Sequence, residues 1–367
     1  MLNVIFTLDY EIHGNGDGSP QELMVGPTSR MLDLFDEYGA KLTIMADVAE
    51  ILKFREYRDR FGRDDYHYDN IVRQLQDAVR RGHDVQLHLH CSYFNARFEN
   101  GKWQQDWSEY NFAGLSEERI SEVLGIGRSF LEQQLCPIDR TYRCHVFRAA
   151  NWAVSPSRNV VRSLIDNGFA IDTSVFKHGR RSGLVNFDYS NAPSNMVPWP
   201  ADEDDICRRS ETSPLLEVPI YCEPRWIGAF LSPNRIYRAL SSRAHRLELN
   251  HSSTSSDEAS KSQDAGKKLG WWKRHPWKAD FNQCTGHQLI GAIDRADAEH
   301  GGSSRTLPFV LIGHSKLFTR QNERSLKPFL RHVATSPNRY SFATFDSCNP
   351  KKDAAGPAFQ AAAAIVG

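Results

Sequence analysis

The stretch LPFVLIGH (307–314) decides the architecture. Its apolar run is continuous rather than alternating, the pattern of a parallel strand covered on both faces. Thr285 can cap a helix leading into it. The same alternation of strand and helix recurs from the start of the chain. Residues 2–9 (LNVIFTLD) read as a strand, and Thr28 or Ser29 can cap a helix carrying Met31, Leu32, Leu34, Phe35 and Tyr38, stopped by Gly39. KLTIM (41–45) is a second strand, followed by the short apolar helix DVAEIL (47–52). Asp69 can cap the next helix, with Ile71, Val72, Leu75, Ala78 and Val79 at helical spacing and Gly82 as its stop. VQLHLH (85–90) is the third strand. A helix over 117–134, a strand over 142–148, and a helix opened by Ser155 and Pro156 and ended by Gly168 continue the series. FAIDTSV (169–175) and LLEVPIY (215–221) add strands. Repeated β-α units of this kind predict a parallel α/β sheet or barrel.

The 367 residues can hold one large domain or two ordinary ones. A closed α/β barrel would use most of them, and residues 1–348 are read as one such unit. The polar, Ser-rich run NHSSTSSDEASKSQDAGKK (250–268) reads as a loop inserted in it, and the Ala-rich segment 349–367 as a frayed tail. Hydrophobic residues make up 40% and charged residues 25%, as in soluble globular proteins, and the formal net charge is zero. A nucleic-acid binder would show a basic excess, so that class is set aside. No stretch reaches the ~18 apolar residues of a membrane span. The seven scattered cysteines form no C-x-x-C pair, and the first residues lack a basic-then-apolar leader, so a reduced, cytoplasmic setting is expected. GWWKRHPW (270–277) gathers aromatics and cations, as a sugar-stacking patch, a membrane-surface patch or the packed edge of a barrel would.

Chemistry concentrates at strand ends. In LNVIFTLDYEIHG (2–14), Thr7, Asp9 and Glu11 alternate with Phe6, Leu8 and Tyr10. In HDVQLHLHCS (83–92), His88 and His90 share one face while Val85, Leu87 and Leu89 take the other. Either pattern alone is compatible with a turn cap or with satisfied core histidines. A strand ending in Asp-x-Glu and another ending in His-x-His can together build one metal pocket, and parallel barrels carry their chemistry at those ends. Cys91 faces away from the two histidines and reads as core. His314, presented after Gly313, is a candidate general acid. Arg148 in FRAANW (147–152) and Asp172 in AIDTSV (170–175) could orient catalytic groups or form a structural salt bridge.

Taken in order, these pieces resemble the five motifs of the polysaccharide deacetylase family, the NodB-homology or carbohydrate esterase family 4 enzymes, in the divergent branch of polysaccharide and lipopolysaccharide gene clusters. TLDYE (7–11) stands where the family has T-F-D-D. Asp9 matches the catalytic base, Tyr10 occupies the place of a metal-binding Asp, and Glu11 is the natural replacement ligand. GHDVQLHLHCS (82–92) stands for G-H-E-x-x-x-H-x-x-x-H, with His83, Asp84 and His88 in register and Ser92 at the last His, so His90 is the second imidazole. Arg148 matches R-x-G, Asp172 and Ser174 match D-x-S, and Leu311 with His314 match L-x-H with one residue added.

The resemblance spans about residues 1–320. It implies a deformed (β/α) barrel of about seven parallel strands and removal of an N- or O-acetyl group from a sugar or glycan precursor in surface polysaccharide biosynthesis. It further implies a divalent metal, zinc before others, on Glu11, His88 and His90. Asp9 then acts as base and His314 as acid, Asp172 holds His314 in one tautomer, and Arg148 positions Asp9. Two other functions are compatible with the same residues. One is hydrolysis of a non-peptide C–N bond in a small molecule. The other is a non-catalytic glycan-binding barrel with a degraded metal site.

Overall fold

The computed structural model describes residues 1–12, 18–237, 273–300 and 305–348. The inserted loop at 250–268 and the tail at 349–367 lie outside the described residues, as do Gly270, Trp271 and Trp272 of the aromatic run. One nine-stranded sheet organises the rest. Its strands are β1 (Leu2–Tyr10), β2 (Leu42–Asp47), β3 (Asp84–Leu89), β4 (Val146–Ala149), β5 (Ile171–Asp172), β6 (Trp199–Pro200), β7 (Leu216–Glu217), β8 (Leu307–His314) and β9 (Tyr340–Phe342). They are ordered β6-β7-β5-β4-β3-β2-β1-β8, with β9 added beside the start of β1. Every pairing is parallel except β6 with β7. The result is a mixed α/β fold whose curled, mostly parallel sheet forms a half-barrel. A backbone bond from the Tyr221 N–H to the Val310 carbonyl, 3.0 Å, links the β7 side to β8 across the gap.

The continuous apolar run of 307–314 became β8 as its pattern predicts, and it pairs with β1 along the whole length from Leu2↔Leu307 to Asp9↔His314. That register sets the two candidate proton-transfer groups side by side. Helices α1 (Gly26–Tyr38), α2 (Val48–Phe61), α3 (Tyr68–Arg80), α4 (Glu117–Leu135), α5 (Arg158–Asp166), α6 (Gly286–His300) and α7 (Arg320–Ala334) cover the sheet. Burying β1 from water on both faces, with Phe6 against Phe35, Phe281 and Phe329, supplies the main driving force.

Several boundaries depart from the sequence expectations for definable reasons. The first helical segment begins at Gln21 with a π-turn to Val25, so the buried Thr28 lies inside α1 and caps nothing. Helix α2 runs four turns rather than the expected one and a half, because Phe54 and Tyr57 extend its buried face. Asp64, not Asp69, caps α3, its carboxylate accepting the backbone N–H groups of Tyr68 and Asp69 at 2.6 and 3.1 Å. Ser155 and Pro156 are joined by a cis bond and stand outside α5, which starts at Arg158. The expected strand at 142–148 is only β4, and two-residue β5 and β7 replace two seven-residue runs. Thr285 does cap α6, its hydroxyl accepting from Gln288 N–H while Gln288 Oε1 accepts from Thr285 N–H.

Candidate active site and metal centre

The C-terminal ends of β1, β3, β4 and β8 converge on one buried polar cluster. Asp9 and Glu11 leave β1 on the same side because side chains repeat every two residues along a strand. Tyr10 points the other way and donates its hydroxyl to Gln74 Oε1 at 2.7 Å in the core. A carboxylate at position 10 would therefore miss the site, and Glu11 takes its place. His88 lies at the end of β3 and His90, two residues on, stands beside it with ring centroids 5.1 Å apart.

Glu11 and the two histidines are all buried, and their donor atoms lie within 4.8 Å of one another. Glu11 Oε2 is 2.6 Å from His90 Nε2 and 3.5 Å from His88 Nε2. Glu11 Oε1 is already engaged, accepting from Lys316 Nζ at 3.0 Å. The remaining oxygen and two ring nitrogens thus share one point, as ligands of a divalent ion would. His88 Nδ1 donates to the carbonyl of Arg148 at 2.9 Å, so Nε2 is the nitrogen facing Glu11 and would carry the lone pair once a metal displaced its proton. Burial alone would lower the His88 pKa, but Glu11, Asp9 and Asp47 push it up to about 9. Lys316, then His90 and His88, outweigh burial and hold Glu11 well below the carboxylate range. Such a cluster attracts positive charge, and its two imidazoles and one carboxylate suit zinc and neighbouring transition metals.

Asp9 lies on the other side of this cluster. Its Oδ1 accepts from Arg148 Nη1 at 2.7 Å, and its Oδ2 lies 3.5 Å from His314 Nε2. Burial raises its pKa, but Arg148, His88 and His314 together outweigh that and keep it ionised. Arg148 is wholly buried and spends its other donors on Thr7 Oγ1 at 2.8 Å and the Thr173 carbonyl at 3.0 Å. Arg148 and Asp9 are thus in direct contact. Burial draws His314 below the usual histidine range, against the pull of Asp9 and Glu11. Gly313 precedes it because an added Cβ would lie 2.2 Å from the Phe281 ring and 2.8 Å from Asn282 Oδ1, the atom that accepts the His314 backbone N–H.

Asp172 is placed differently from its implied role. Its carboxylate accepts from the hydroxyl and backbone N–H of Ser174 at 2.9 and 3.1 Å, and it abuts Glu217. His314 Nδ1 has no hydrogen bond, so no contact from Asp172 sets its tautomer. Ser174 in turn accepts the Ala149 N–H at 2.9 Å, so Asp172 braces the strand end that carries Arg148. His83 lies apart from the site, accepting the Leu42 N–H at 3.2 Å, and Ser92 Oγ donates to Gln105.

Sequence reasoning missed three neighbours. Asp47 accepts the His90 N–H at 3.1 Å and leaves its buried Oδ2 without a hydrogen bond. Glu50 accepts the Ile12 N–H at 2.8 Å, with its pKa pushed up to about 8 by burial and by Asp47. Lys316 is the third. Asp47 ends a parallel strand, the same positional signal that drew attention to Asp9 and His88, and was legible on that ground.

No family model matches the sequence, and no curated protein does. Solved structures do match. A protein from Mycobacterium smegmatis assigned as a polysaccharide deacetylase superimposes with a TM-score of 0.50 at 14% identity, over 96% of this chain and 91% of that one. A protein from Parabacteroides distasonis assigned as a glycoside hydrolase/deacetylase gives 0.55 at 11% identity, over 95% and 70%. The chain has the polysaccharide deacetylase fold. A 4-alpha-glucanotransferase from Thermococcus litoralis also matches, with a TM-score of 0.51 at 9% identity over 95% of this chain and 40% of that one. The deacetylase fold is therefore a scaffold, and function has to be argued from the residues at its strand ends.

Proposed function

We propose that this chain is a metal-dependent hydrolase that removes an acetyl group from a sugar. The observation that carries the reading is the pairing of two sites within one pocket: a buried Glu11–His88–His90 cluster and, beside it, an ionised Asp9 between Arg148 and His314. A divalent ion held by that cluster would polarise an acyl carbonyl and make water acidic near neutral pH. Asp9, kept as a carboxylate by Arg148, accepts the proton from the attacking water at Oδ2. His314, whose charged form is a strong acid because burial lowers its pKa, delivers a proton to the departing amine or alcohol. Arg148 fixes the Asp9 carboxylate and excludes alternative orientations through its bonds to Thr7 and Thr173.

Two features weigh against a degraded, purely binding barrel. Replacing the family's second Asp by Tyr10 costs no ligand because Glu11 reaches the cluster, and replacing its last His by Ser92 costs none because His90 does. Among the described residues no helix is long and apolar enough to cross a membrane, and all seven cysteines are free thiols. The reading is tested by loading the full chain with zinc, nickel or cobalt and measuring acetate release from N- and O-acetylated sugars. Release that is stopped by a chelator and restored by metal is expected. Metal-loaded chain that binds such sugars and releases no acetate would instead mark a binding protein.

A further inference from the structure

A lysine outside the five motifs projects beside the candidate active site. Lys278 lies at the end of a short strand, His275–Lys278, that pairs antiparallel with Cys222–Arg225. Two residues later Asp280 bridges to Ile312 of β8, so this segment runs along the outer edge of the strand that presents His314. The Lys278 ammonium sits 3.4 Å from the centroid of the Trp152 ring and 4.4 Å from that of Phe176. Trp152 stands edge-on to His314, ring centroids 6.4 Å apart at 90°. Asp280, then Cys222, Asp9 and Arg148 are within electrostatic range of Lys278.

The two rings hold the ammonium by cation–π attraction but take none of its N–H groups as ordinary acceptors would. Lys278 Nζ makes no hydrogen bond and no ion pair with any described residue, and the side chain is half-buried. Its three N–H donors therefore remain open to an acceptor that enters beside the two rings. Trp152 is itself held firmly. It and Asn151 both adopt positive φ, 58° and 56°, a conformation that non-glycine residues rarely take. Tyr189 donates its hydroxyl to the Trp152 carbonyl at 2.5 Å and keeps that turn in place. On the opposite flank Arg181 donates to Asn151 Oδ1 at 2.9 Å and has no carboxylate partner. Lys278 and Arg181, neither in a salt bridge with a described carboxylate, therefore flank the turn that faces His314, with Asp280 acting on Lys278 only through space, whereas Asp9 is paired with Arg148 and Glu11 with Lys316.

We infer that Lys278, fixed on the faces of Trp152 and Phe176 next to His314, is a specificity residue that receives an anionic substituent, a carboxylate or a phosphate, on the acetylated sugar. This rests on the deacetylase reading above and narrows its substrate class to acidic sugars. A charge-assisted hydrogen bond to such a group contributes about 1.5–3 kcal/mol, roughly 10- to 100-fold in binding.

The test uses the full metal-loaded chain, as wild type, Lys278→Met and Lys278→Arg. The probes are neutral N,N′-diacetylchitobiose, N-acetylglucosamine 1-phosphate and an N-acetylated hexosaminuronic acid. Acetate release gives kcat and KM, and calorimetry gives affinity independently of turnover. The wild type should favour one anionic probe over the neutral one, and which probe wins separates phosphate from carboxylate. In Lys278→Met the anionic-to-neutral ratio of kcat/KM should fall roughly 10- to 100-fold through KM, with Lys278→Arg keeping much of it. An unchanged ratio, or a fall in kcat alike on all three probes, would overturn the inference while leaving the deacetylase reading intact. If no probe releases acetate, that reading fails. Calorimetry then decides the inference separately: anionic sugars retained by wild type and lost by Lys278→Met support it, and equal affinities overturn it.

Discussion

Asp9→Asn should lower acetate release from an acetylated sugar by about 10²- to 10⁴-fold, the usual contribution of a general base, while the chain stays folded and keeps its metal. The side chain keeps its shape, and asparagine Oδ1 can still accept from Arg148 Nη1, which also bonds Thr7. What disappears is the ionised oxygen that faces His314. The cluster of Glu11, His88 and His90 is formed without Asp9, so metal content should not follow activity downward. Steady-state acetate release beside metal analysis of the same preparation checks both parts. Activity within a factor of a few of wild type would remove Asp9 from the chemistry.

The second large effect is on stability. Arg148→Met should lower the free energy of unfolding by roughly 3–5 kcal/mol, because it leaves a buried carboxylate without its counter-charge. Arg148 is wholly buried, and it ties together three strand ends: Thr7 and Asp9 on β1, its own strand β4, and Thr173 beyond β5. Methionine fills similar volume but returns none of these bonds. The loss should be strongly non-additive with Asp9→Asn, since removing the charge of Asp9 first removes most of the penalty. Equilibrium denaturation of the two single variants and the double variant measures this coupling. An Arg148→Met chain within about 1 kcal/mol of wild type would show that the pair is not buried as described.

The parts of the fold that were legible in the sequence are those with a long local signal. The eight-residue run of β8 and the alternation in β1 extend far enough to identify strands and their direction of burial. The i, i+2 spacing then put His88 beside His90 and Asp9 beside Glu11 without further information. Short elements were less legible. Strands β5 and β7 consist of two residues each, and their extents depend on neighbouring strands rather than on their own sequence. Helix starts were misread where the cap comes from outside the expected position, as Asp64 does for α3. In the site, Asp172 was identified as a residue that matters but assigned the wrong neighbour. Nothing in AIDTSV reveals that its carboxylate turns to Ser174 and Glu217 instead of toward His314. Lys278 and Lys316 were invisible for a related reason. Each is a single charge in an unremarkable local context, and only packing across the sheet brings one to Trp152 and the other to Glu11.

The central claim is that Glu11, His88 and His90 hold a metal ion. Metal content of the purified full chain, wild type beside His88→Ala, tests it most directly. About one equivalent of zinc or a similar divalent metal in the wild type, lost in His88→Ala, is the predicted result. No bound metal in either chain, even after reconstitution with zinc, nickel, cobalt and iron, would contradict it.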